Sequence, residues 1–353
     1  MSEPSLEEML GITRTVYSWV MPETERLLRE LAGPPHREVL RDRHREAWTS
    51  KQDAYHEEFF ETWLGWCEAK VRTPAEFAHR YPTAGSSEGI RETLATLASS
   101  ASCDGLPGPP TIHIFEGEYE GYRALARPYG IRVVDHPRES WRESLSEYRG
   151  EAGRGHRFYL SQPSSIDGNL WGDFDEFLDF LGDHTAMRLM LDLCYVGCVP
   201  DECYPDARIA ADHEVVDVVF FSLSKVFGTY YHRIGGMFSR EEYYGLWGNK
   251  WFKNLTSLYF GTELMRRYGV TELPDKYRPL QQTVVEELSL APVLVGSEGA
   301  STPVASDVFL LAGHQGHSPC AEFDRLPGRP RYCLTRRMYE KCWVRGDYLE
   351  GVR

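Results

Sequence analysis

Lys225 ends a run of apolar residues that would place its amine at the carboxyl end of a buried strand. The run reads VVDVVFFSLSK over residues 215–225. Burial disfavours the charged form of lysine, so it lowers the pKa and yields a neutral amine that can attack a carbonyl carbon. A lysine whose ammonium group extends to solvent is the structural alternative. The position favours a nucleophilic lysine without requiring one.

Asp192 ends a second apolar segment, RLMLDL at residues 188–193, and Tyr195 follows it. A carboxylate in such a place must be paired, hydrogen-bonded or protonated. An aspartate that caps a nearby helix is the structural alternative. In open α/β sheets ligands bind beyond the carboxyl ends of the strands, so Asp192 and Lys225 are expected at one edge of a sheet.

Three further groups could bind anions. Gly85, Ser86 and Ser87 open a segment with helical spacing, and a glycine turn with two hydroxyls at a helix start provides free N–H donors and a favourable dipole. Arg233 precedes the glycine-containing segment IGGMFS, and Arg331 precedes a short apolar segment, where a guanidinium could bind a carboxylate in bidentate fashion. A plain serine N-cap and ordinary surface ion pairs are the structural alternatives.

Together these residues meet the needs of one cofactor. An aldehyde that carries a phosphate and a pyridine nitrogen needs a lysine for a Schiff base, a carboxylate beside the nitrogen and an anion site for the phosphate. Pyridoxal 5′-phosphate is that cofactor, and the sequence predicts a site for it.

The elements that must position these residues alternate between short apolar segments and helix-like ones from about residue 84. Several of these segments are almost continuously apolar, as expected of strands that are covered on both faces. The six predicted strands are TIHIF at 111–115, IRVVD at 131–135, HRFYLS at 156–161, RLMLDL at 188–193, VVDVVFFS at 215–222 and IGGMFS at 234–239. The pattern predicts an α/β fold with a largely parallel sheet.

The chain ends are predicted to differ from the middle. Residues 1–45 show helical spacing, and LPDKYRPLQQTVVEELSL, beyond about residue 272, reads as one long helix. We therefore expect a large α/β domain over residues 46–270. An N-terminal helical segment, residues 1–45, and a C-terminal portion, residues 271–353, are expected to build a smaller domain.

Composition excludes several classes of function. The 353 residues carry a net charge of −14, which disfavours wholesale binding to nucleic acid or to an anionic membrane. We find neither an apolar run of about 20 residues nor a signal-peptide pattern, so a cytoplasmic location is expected. The eight cysteines form no CxxC pair, which predicts no metal site, and without a GxGxxG motif a nicotinamide enzyme is disfavoured.

The motifs resemble those of the fold-type I pyridoxal-phosphate enzymes, specifically the class I/II aminotransferases of the aspartate aminotransferase superfamily. SLSKVFGTYYHRIGG resembles the family's Ser-x-Ser-Lys … Arg-x-Gly signature, and DLCYVG resembles Asp-x-x-Tyr. SQPSSIDG is similar to Asn-Pro-x-Gly, AGSSEG to the phosphate-binding segment, and EGEYEGY to the segment that supplies an aromatic ring over the cofactor. The resemblance covers roughly residues 80–240, with a weaker match at 325–337.

The resemblance implies a role for each matched residue. Lys225 would be the Schiff-base lysine, Asp192 would contact the pyridine nitrogen, and Tyr195 and Gln162 would contact the ring hydroxyl. The remaining implied residues are Tyr119 against the ring, Arg331 on the substrate carboxylate, and Gly85, Ser86, Ser87, Ser222 and Arg233 on the phosphate. Gln162 and Ser165 depart from the asparagine and glycine of the motif.

The resemblance further implies a mixed, mostly parallel seven-stranded sheet, a smaller α+β domain from the two chain ends, and a homodimer with shared active sites. Residues 254–261 could reach the partner's phosphate site. The expected function is transamination of an L-amino acid through a Lys225 aldimine and an α-carbanion. Elimination, γ-replacement, cyclisation or carbon–carbon bond formation in specialised metabolism stays open, as does a sensor that has lost catalysis.

Overall fold

The architecture is a seven-stranded sheet with helices on both faces and a separate three-stranded sheet. A computed structural model describes residues 19–47, 53–103, 109–205, 207–289, 304–313 and 331–344. The α-helices are α1 Pro22–Leu31, α2 His36–Ala47, α3 Asp53–Cys67, α4 Ser86–Cys103, α5 Glu120–Ala126, α6 Trp141–Ser144, α7 Phe174–His184, α8 Asn249–Phe252, α9 Leu255–Arg267, α10 Glu272–Ser289 and α11 Thr335–Val344. The strands are β1 Val71–Arg72, β2 His79–Thr83, β3 Thr111–Phe115, β4 Arg132–His136, β5 Arg157–Ser161, β6 Arg188–Asp192, β7 Ile209–Ala210, β8 Val216–Ser222, β9 Gly235–Ser239, β10 Val304–Ala305, β11 Leu311–Gly313 and β12 Arg331–Cys333.

The large sheet is mixed and mostly parallel, as the sequence predicted. Its strand order is β2-β9-β8-β6-β5-β3-β4. Strand β9 is antiparallel to both β2 and β8, and the remaining neighbours are parallel. All six predicted strands lie in this sheet, so β5, β6 and β8 end at one edge with Ser161, Asp192 and Ser222 as their last residues.

Side chains of the central strands alternate between two apolar layers. On β8, Phe221 stacks on Trp63 of α3, with ring centroids 4.3 Å apart. Its neighbour Phe220 faces α4, where Gly89 allows a close approach: a Cβ on Gly89 would lie 2.8 Å from the Phe220 ring. The sheet is therefore covered on both faces, which explains the continuous apolar runs in its strands.

The N-terminal helices lie against the part of the chain that follows Lys225. Helices α1 and α2 pack on α9, and Thr24 of α1 donates a hydrogen bond to the carbonyl of Phe227. Gly228 has a φ of 65°, and a Cβ there would lie 1.8 Å from the carbonyl oxygen of Trp19. Glycine is thus required where the two segments cross. The first 18 residues of the helical segment predicted over residues 1–45 lie outside the described residues.

The long helix predicted near the C-terminus is confirmed as α10. Strands β10, β11 and β12 form an antiparallel sheet in that order. Two backbone hydrogen bonds join the β10–β11 connection to the loops of the large sheet, from Val308 N to Gly168 O at 2.7 Å and from Phe309 N to Cys198 O at 2.9 Å. These contacts fix the three-stranded sheet, and with it β12, beside the carboxyl ends of the strands. The division into two domains at residues 45 and 270 stays a prediction.

Three histidines form a hydrogen-bonded chain on the large sheet. His113 of β3 contacts His136 of β4 through Nδ1 and Nε2 at 2.8 Å, and contacts His156, before β5, through Nε2 and Nδ1 at 2.9 Å. His136 also contacts Ser144 Oγ at 3.1 Å. Burial lowers the pKa of all three imidazoles, that of His113 to about 2. The chain is therefore built from neutral rings.

The described residues lack two features, a membrane-spanning helix and a cluster of metal ligands. None of the helices described is both long and apolar enough to cross a membrane. Within the same residues, no three His, Cys, Asp or Glu side chains are grouped as metal ligands.

Candidate active site

A cavity of about 450 Å³ lies at the carboxyl ends of β5, β6 and β8. Nine of the eleven residues predicted to form the site line it together, although they come from segments up to 245 positions apart. The lining residues are Ser86, Ser87, Tyr119, Ser161, Ser165, Asp192, Cys194, Tyr195, Ser222, Ser224, Lys225, Tyr230, Tyr231, Arg233 and Arg331. The fold thus converts the strand-end pattern into one polar-walled cavity.

Lys225 projects into this cavity from the turn that follows β8. Burial lowers its pKa, and the positive charge of Arg331 acts in the same direction. Cys194, Cys333 and Cys198 oppose the shift. The environment therefore favours a neutral amine, as a nucleophile or a base requires.

Asp192 is the last residue of β6 and is 3% exposed. Burial raises the pKa of its carboxyl to about 7, and the nearby Glu118 contributes to the increase. Ser86 Oγ donates a hydrogen bond to Asp192 Oδ1 at 3.0 Å, as does the backbone N–H of Cys194 at 3.0 Å, and both bonds oppose the shift. The carboxyl is therefore positioned firmly and would gain stability from a cation beside it.

The start of α4 forms one end of the cavity. Gly85 has a φ of 81°, and a Cβ there would lie 3.0 Å from Arg233 Nη2 and 3.3 Å from Ser222 Oγ. Only glycine allows these two groups to approach the helix start so closely. Ser86 and Ser87 occupy the first helical positions, where N–H groups have no partner within the helix. This arrangement forms a cradle suited to an anion.

Arg233 adopts a left-handed backbone conformation with φ of 51°, which is uncommon for a residue other than glycine. Its Nη2 donates a hydrogen bond to the carbonyl of Ala84 at 2.6 Å, and this bond holds the guanidinium beside the helix start. Arg331, the first residue of β12, is 8% exposed and also lines the cavity. The structure therefore supplies two guanidinium groups from separate segments.

Two predicted aromatic residues also line the cavity. Tyr119 precedes α5, its phenol hydrogen-bonds with Ser87, and its ring packs edge to face on Tyr122 with centroids 5.6 Å apart. Tyr195 is 5% exposed. A Cβ on Gly121 would lie 2.1 Å from the Tyr119 ring, so this ring orientation depends on the glycine.

Two predicted residues do not line the cavity. Gly85 does not contact the cavity directly, and its role is to leave room for Arg233 and Ser222 beside the helix start. Gln162 is 3% exposed, and its amide is engaged with Trp171: Nε2 donates to the carbonyl at 3.3 Å, and Oε1 accepts from the backbone N–H at 3.2 Å. The role predicted for Gln162 toward a ring hydroxyl stays a prediction, and the structure gives its amide another set of partners.

Sequence reasoning assigned no role in the site to six lining residues, namely Ser161, Ser165, Cys194, Ser224, Tyr230 and Tyr231. Ser161 is the last residue of β5 and pairs with Asp192 in the register of the sheet. The rule that singled out Asp192, a polar residue at the end of an apolar strand, would have found it. Tyr230 and Tyr231 lie in a short 3-10 helix, Tyr230–His232, after Lys225, and nothing in their spacing predicts that they face the cavity.

No family model and no curated protein matches the chain. Solved structures do match it over almost its whole length. YbdL from Escherichia coli, which carries a methionine aminotransferase function, is 13% identical, with 92% of this chain and 90% of that chain covered and a TM-score of 0.62. The chain has the fold of the class I/II aminotransferases.

Two other structures with this fold carry different names. MppP, in a structure soaked with the product 2-ketoarginine, is 15% identical, with 94% of this chain and 97% of that chain covered and a TM-score of 0.65. A C–S lyase from Staphylococcus hominis, in its pyridoxal-phosphate-bound form, is 12% identical, with 90% and 91% covered and a TM-score of 0.62. The class I/II aminotransferase fold is therefore shared with proteins of more than one reaction type.

Proposed function

We propose that this protein is a pyridoxal-phosphate-dependent enzyme that transfers the amino group of an amino acid. One observation carries the proposal: Lys225, Asp192, the Gly85–Ser87 turn with Arg233, and Arg331 converge on a single cavity. Each provides one of the contacts that the cofactor or an amino acid substrate needs. The fold shared with a methionine aminotransferase supports the same interpretation.

The cavity passes a structural test for this cofactor. A Cβ on Gly85 would lie 3.0 Å from Arg233 Nη2, so the absence of a side chain leaves a space beside the guanidinium. This space at a helix start suits an anionic group such as a phosphate. A carboxyl as buried as Asp192 needs a positive partner to ionise, and a protonated ring nitrogen would be one. Lys225, with its lowered pKa, supplies the amine that an aldehyde requires.

When bound, pyridoxal 5′-phosphate supplies an electron sink for the bonding electrons released at the substrate α-carbon. Asp192 would accept a hydrogen bond from the ring nitrogen and keep the nitrogen protonated. Ser86, Ser87, Ser222 and Arg233 would bind the phosphate at the turn that Gly85 keeps open. Arg331 would bind the substrate carboxylate and thereby orient the α-carbon.

Lys225 would then act as the base of the reaction. A neutral Nζ can take the α-proton of the substrate and return it to a different carbon, and the transfer step requires this proton shift. Because burial lowers the pKa of Lys225, the amine is present in its basic form at a lower pH than an exposed lysine would be. Tyr119 would pack against the ring, and Tyr195 would contact its edge.

Elimination or γ-replacement is a second candidate, which the fold shared with a C–S lyase supports. Cyclisation and carbon–carbon bond formation belong to the same group, because all begin with removal of the α-proton.

A homodimer with shared active sites and a cytoplasmic location also stay predictions. Residues 254–261, predicted to reach a partner, fall at the start of α9.

The test uses protein loaded with pyridoxal 5′-phosphate and a panel of amino acids, each paired with a 2-oxo acid. Aminotransfer predicts that the absorbance of the bound cofactor changes to that of its amine form and that a new amino acid and a new 2-oxo acid appear in equal amounts. A product that forms with no transfer of the amine would favour the second candidate. A protein that binds no cofactor would contradict both.

A further inference from the structure

A buried carboxylate lies directly behind two serines of the cavity wall. Glu118 is 5% exposed and precedes Tyr119 in the connection between β3 and α5. Its Oε2 accepts hydrogen bonds from Ser161 Oγ at 2.8 Å and from Ser165 Oγ at 2.6 Å. Its Oε1 accepts from the backbone N–H of Ser161 at 3.1 Å. Ser161 and Ser165 line the cavity, so Glu118 acts on the site through them.

These bonds determine how the serines can interact with a ligand. A carboxylate has no proton to donate, so both hydroxyl protons are directed at Glu118. Ser161 Oγ also accepts the backbone N–H of Ser165 at 2.7 Å. The Ser165 oxygen therefore faces the cavity with lone pairs only, and this part of the wall accepts hydrogen bonds instead of donating them.

The position of these serines relates them to the edge of a bound ring. Ser161 pairs with Asp192 across β5 and β6, so it lies beside the carboxyl assigned to the ring nitrogen, and Ser165 shares the Glu118 carboxylate with it. Gln162, the residue predicted to contact the ring hydroxyl, has both ends of its amide engaged with Trp171 and does not line the cavity. Ser165, three residues later, does line it and is an acceptor.

We propose that Glu118 is a positioning residue that makes Ser165 a hydrogen-bond acceptor for the ring hydroxyl of the bound cofactor. This inference rests on the proposed function and deepens it. An acceptor, with a negative charge behind it, stabilises the protonated hydroxyl, whereas a donor would stabilise the ionised form. The hydroxyl of the bound cofactor therefore keeps its proton to a higher pH than it would beside a neutral wall.

Other ionisable groups also face Glu118 among the described residues. They are Asp192, the last residue of β6, Cys194 in the loop that follows it, and Tyr122 of α5. Lys225 and Arg331 line the same cavity. All of these groups are unchanged in a Glu118 variant, so a comparison with the wild-type protein isolates the effect of the one carboxylate.

The experiment titrates the absorbance of the cofactor-loaded protein from pH 5.5 to 9.5 without substrate. In Glu118→Gln the midpoint of the absorbance titration should fall by about one pH unit, because the negative charge that Ser165 contacts is removed. Glu116→Gln is the matched control, because this exposed glutamate lies two residues away in the same connection. The titration midpoint of this variant should equal that of the wild-type protein. Ser165→Ala should shift the midpoint in the same direction as Glu118→Gln, and by less.

Unchanged midpoints in both Glu118→Gln and Ser165→Ala would overturn the inference. A change in the KM for the amino acid with an unchanged midpoint would also overturn it, since the serines would then serve the substrate. If Glu118→Gln does not fold, Ser165→Ala decides the question alone. Failure of the proposed function is recognised separately: a wild-type protein without cofactor absorbance would contradict the cofactor itself, and a loaded protein that transfers no amine would contradict the reaction and leave the midpoints to decide this inference.

Discussion

Asp192 is expected to destabilise the protein at neutral pH when no cofactor is bound. Burial raises the pKa of its carboxyl from 3.8 to about 7. Between these values the folded protein holds a proton that the unfolded chain releases. The contribution to stability is therefore fully present below the unfolded pKa and is lost as the pH rises toward the folded pKa. Asp192→Asn removes this dependence, because asparagine does not titrate.

The magnitude follows from the shift. About three pKa units at about 1.36 kcal/mol each give a total of about 4 kcal/mol at pH 8. The difference in free energy of unfolding between Asp192→Asn and the wild type should therefore widen by about 3 kcal/mol between pH 4.5 and 8.5, in favour of the variant. The same variant should lose most of its activity, since it cannot keep a ring nitrogen protonated.

Urea unfolding of cofactor-free protein, followed by tryptophan fluorescence at several pH values, measures this difference. Both proteins contain the same histidines and other carboxylates, so their contributions cancel in the comparison. Asp183→Asn, a change at an exposed position near the end of α7, serves as a control that should show no such widening. Cofactor-loaded wild type should lose the dependence, because a positive ring nitrogen keeps Asp192 ionised.

A constant difference between Asp192→Asn and the wild type from pH 4.5 to 8.5 would refute the reasoning. Asp192 would then be ionised in the folded protein without a partner. The carboxyl would then need no cation beside it to ionise.

Three further predictions concern other parts of the structure. Arg331→Ala should raise the KM for the amino acid about 100-fold with a smaller effect on kcat, because a charge-assisted bidentate contact is lost; steady-state kinetics measures this, and an unchanged KM would remove Arg331 from the substrate site. Gly85→Ala should weaken cofactor binding about tenfold in equilibrium dialysis, because φ of 81° strains alanine and its Cβ intrudes on the cradle, and wild-type affinity would contradict that. The three hydrogen-bonded histidines, His113, His136 and His156, are neutral in the folded protein and contribute stability above pH 6.5. This stability is lost as the pH falls, by about 2 kcal/mol from His113 alone at pH 5. In His113→Asn the free energy of unfolding by urea should lack this part of its pH dependence, and equal slopes in both proteins would show that the histidines are protonated in the fold.

The central strands were predictable because burial on both faces leaves a strong apolar signal. TIHIF at 111–115 coincides with β3, and the predicted ends of β6 and β8 lie within one residue of those observed. Strand β2, HRYPT at 79–83, was missed: two of its residues are only partly buried and it contains a proline, so it carries no apolar run. Its place at the sheet edge depends on pairing with β9, which local sequence does not encode.

The site divides in the same way. Residues at strand ends, such as Asp192 and Lys225, were predictable because the edge of a parallel sheet gathers them. The partners of Gln162 were not, since they depend on where the chain returns with Trp171 nine residues later. The role of Glu118 likewise depends on its contacts with residues more than 40 positions away, and those contacts exist only in the folded chain.

The attachment point of the cofactor tests the account most directly. Protein loaded with pyridoxal 5′-phosphate is reduced with borohydride, digested, and analysed by peptide mass spectrometry. The account predicts a stable adduct on Lys225 in stoichiometric amount, and a Lys225→Arg protein without it. An adduct on another lysine, or a loaded protein that yields none, would contradict the central claim.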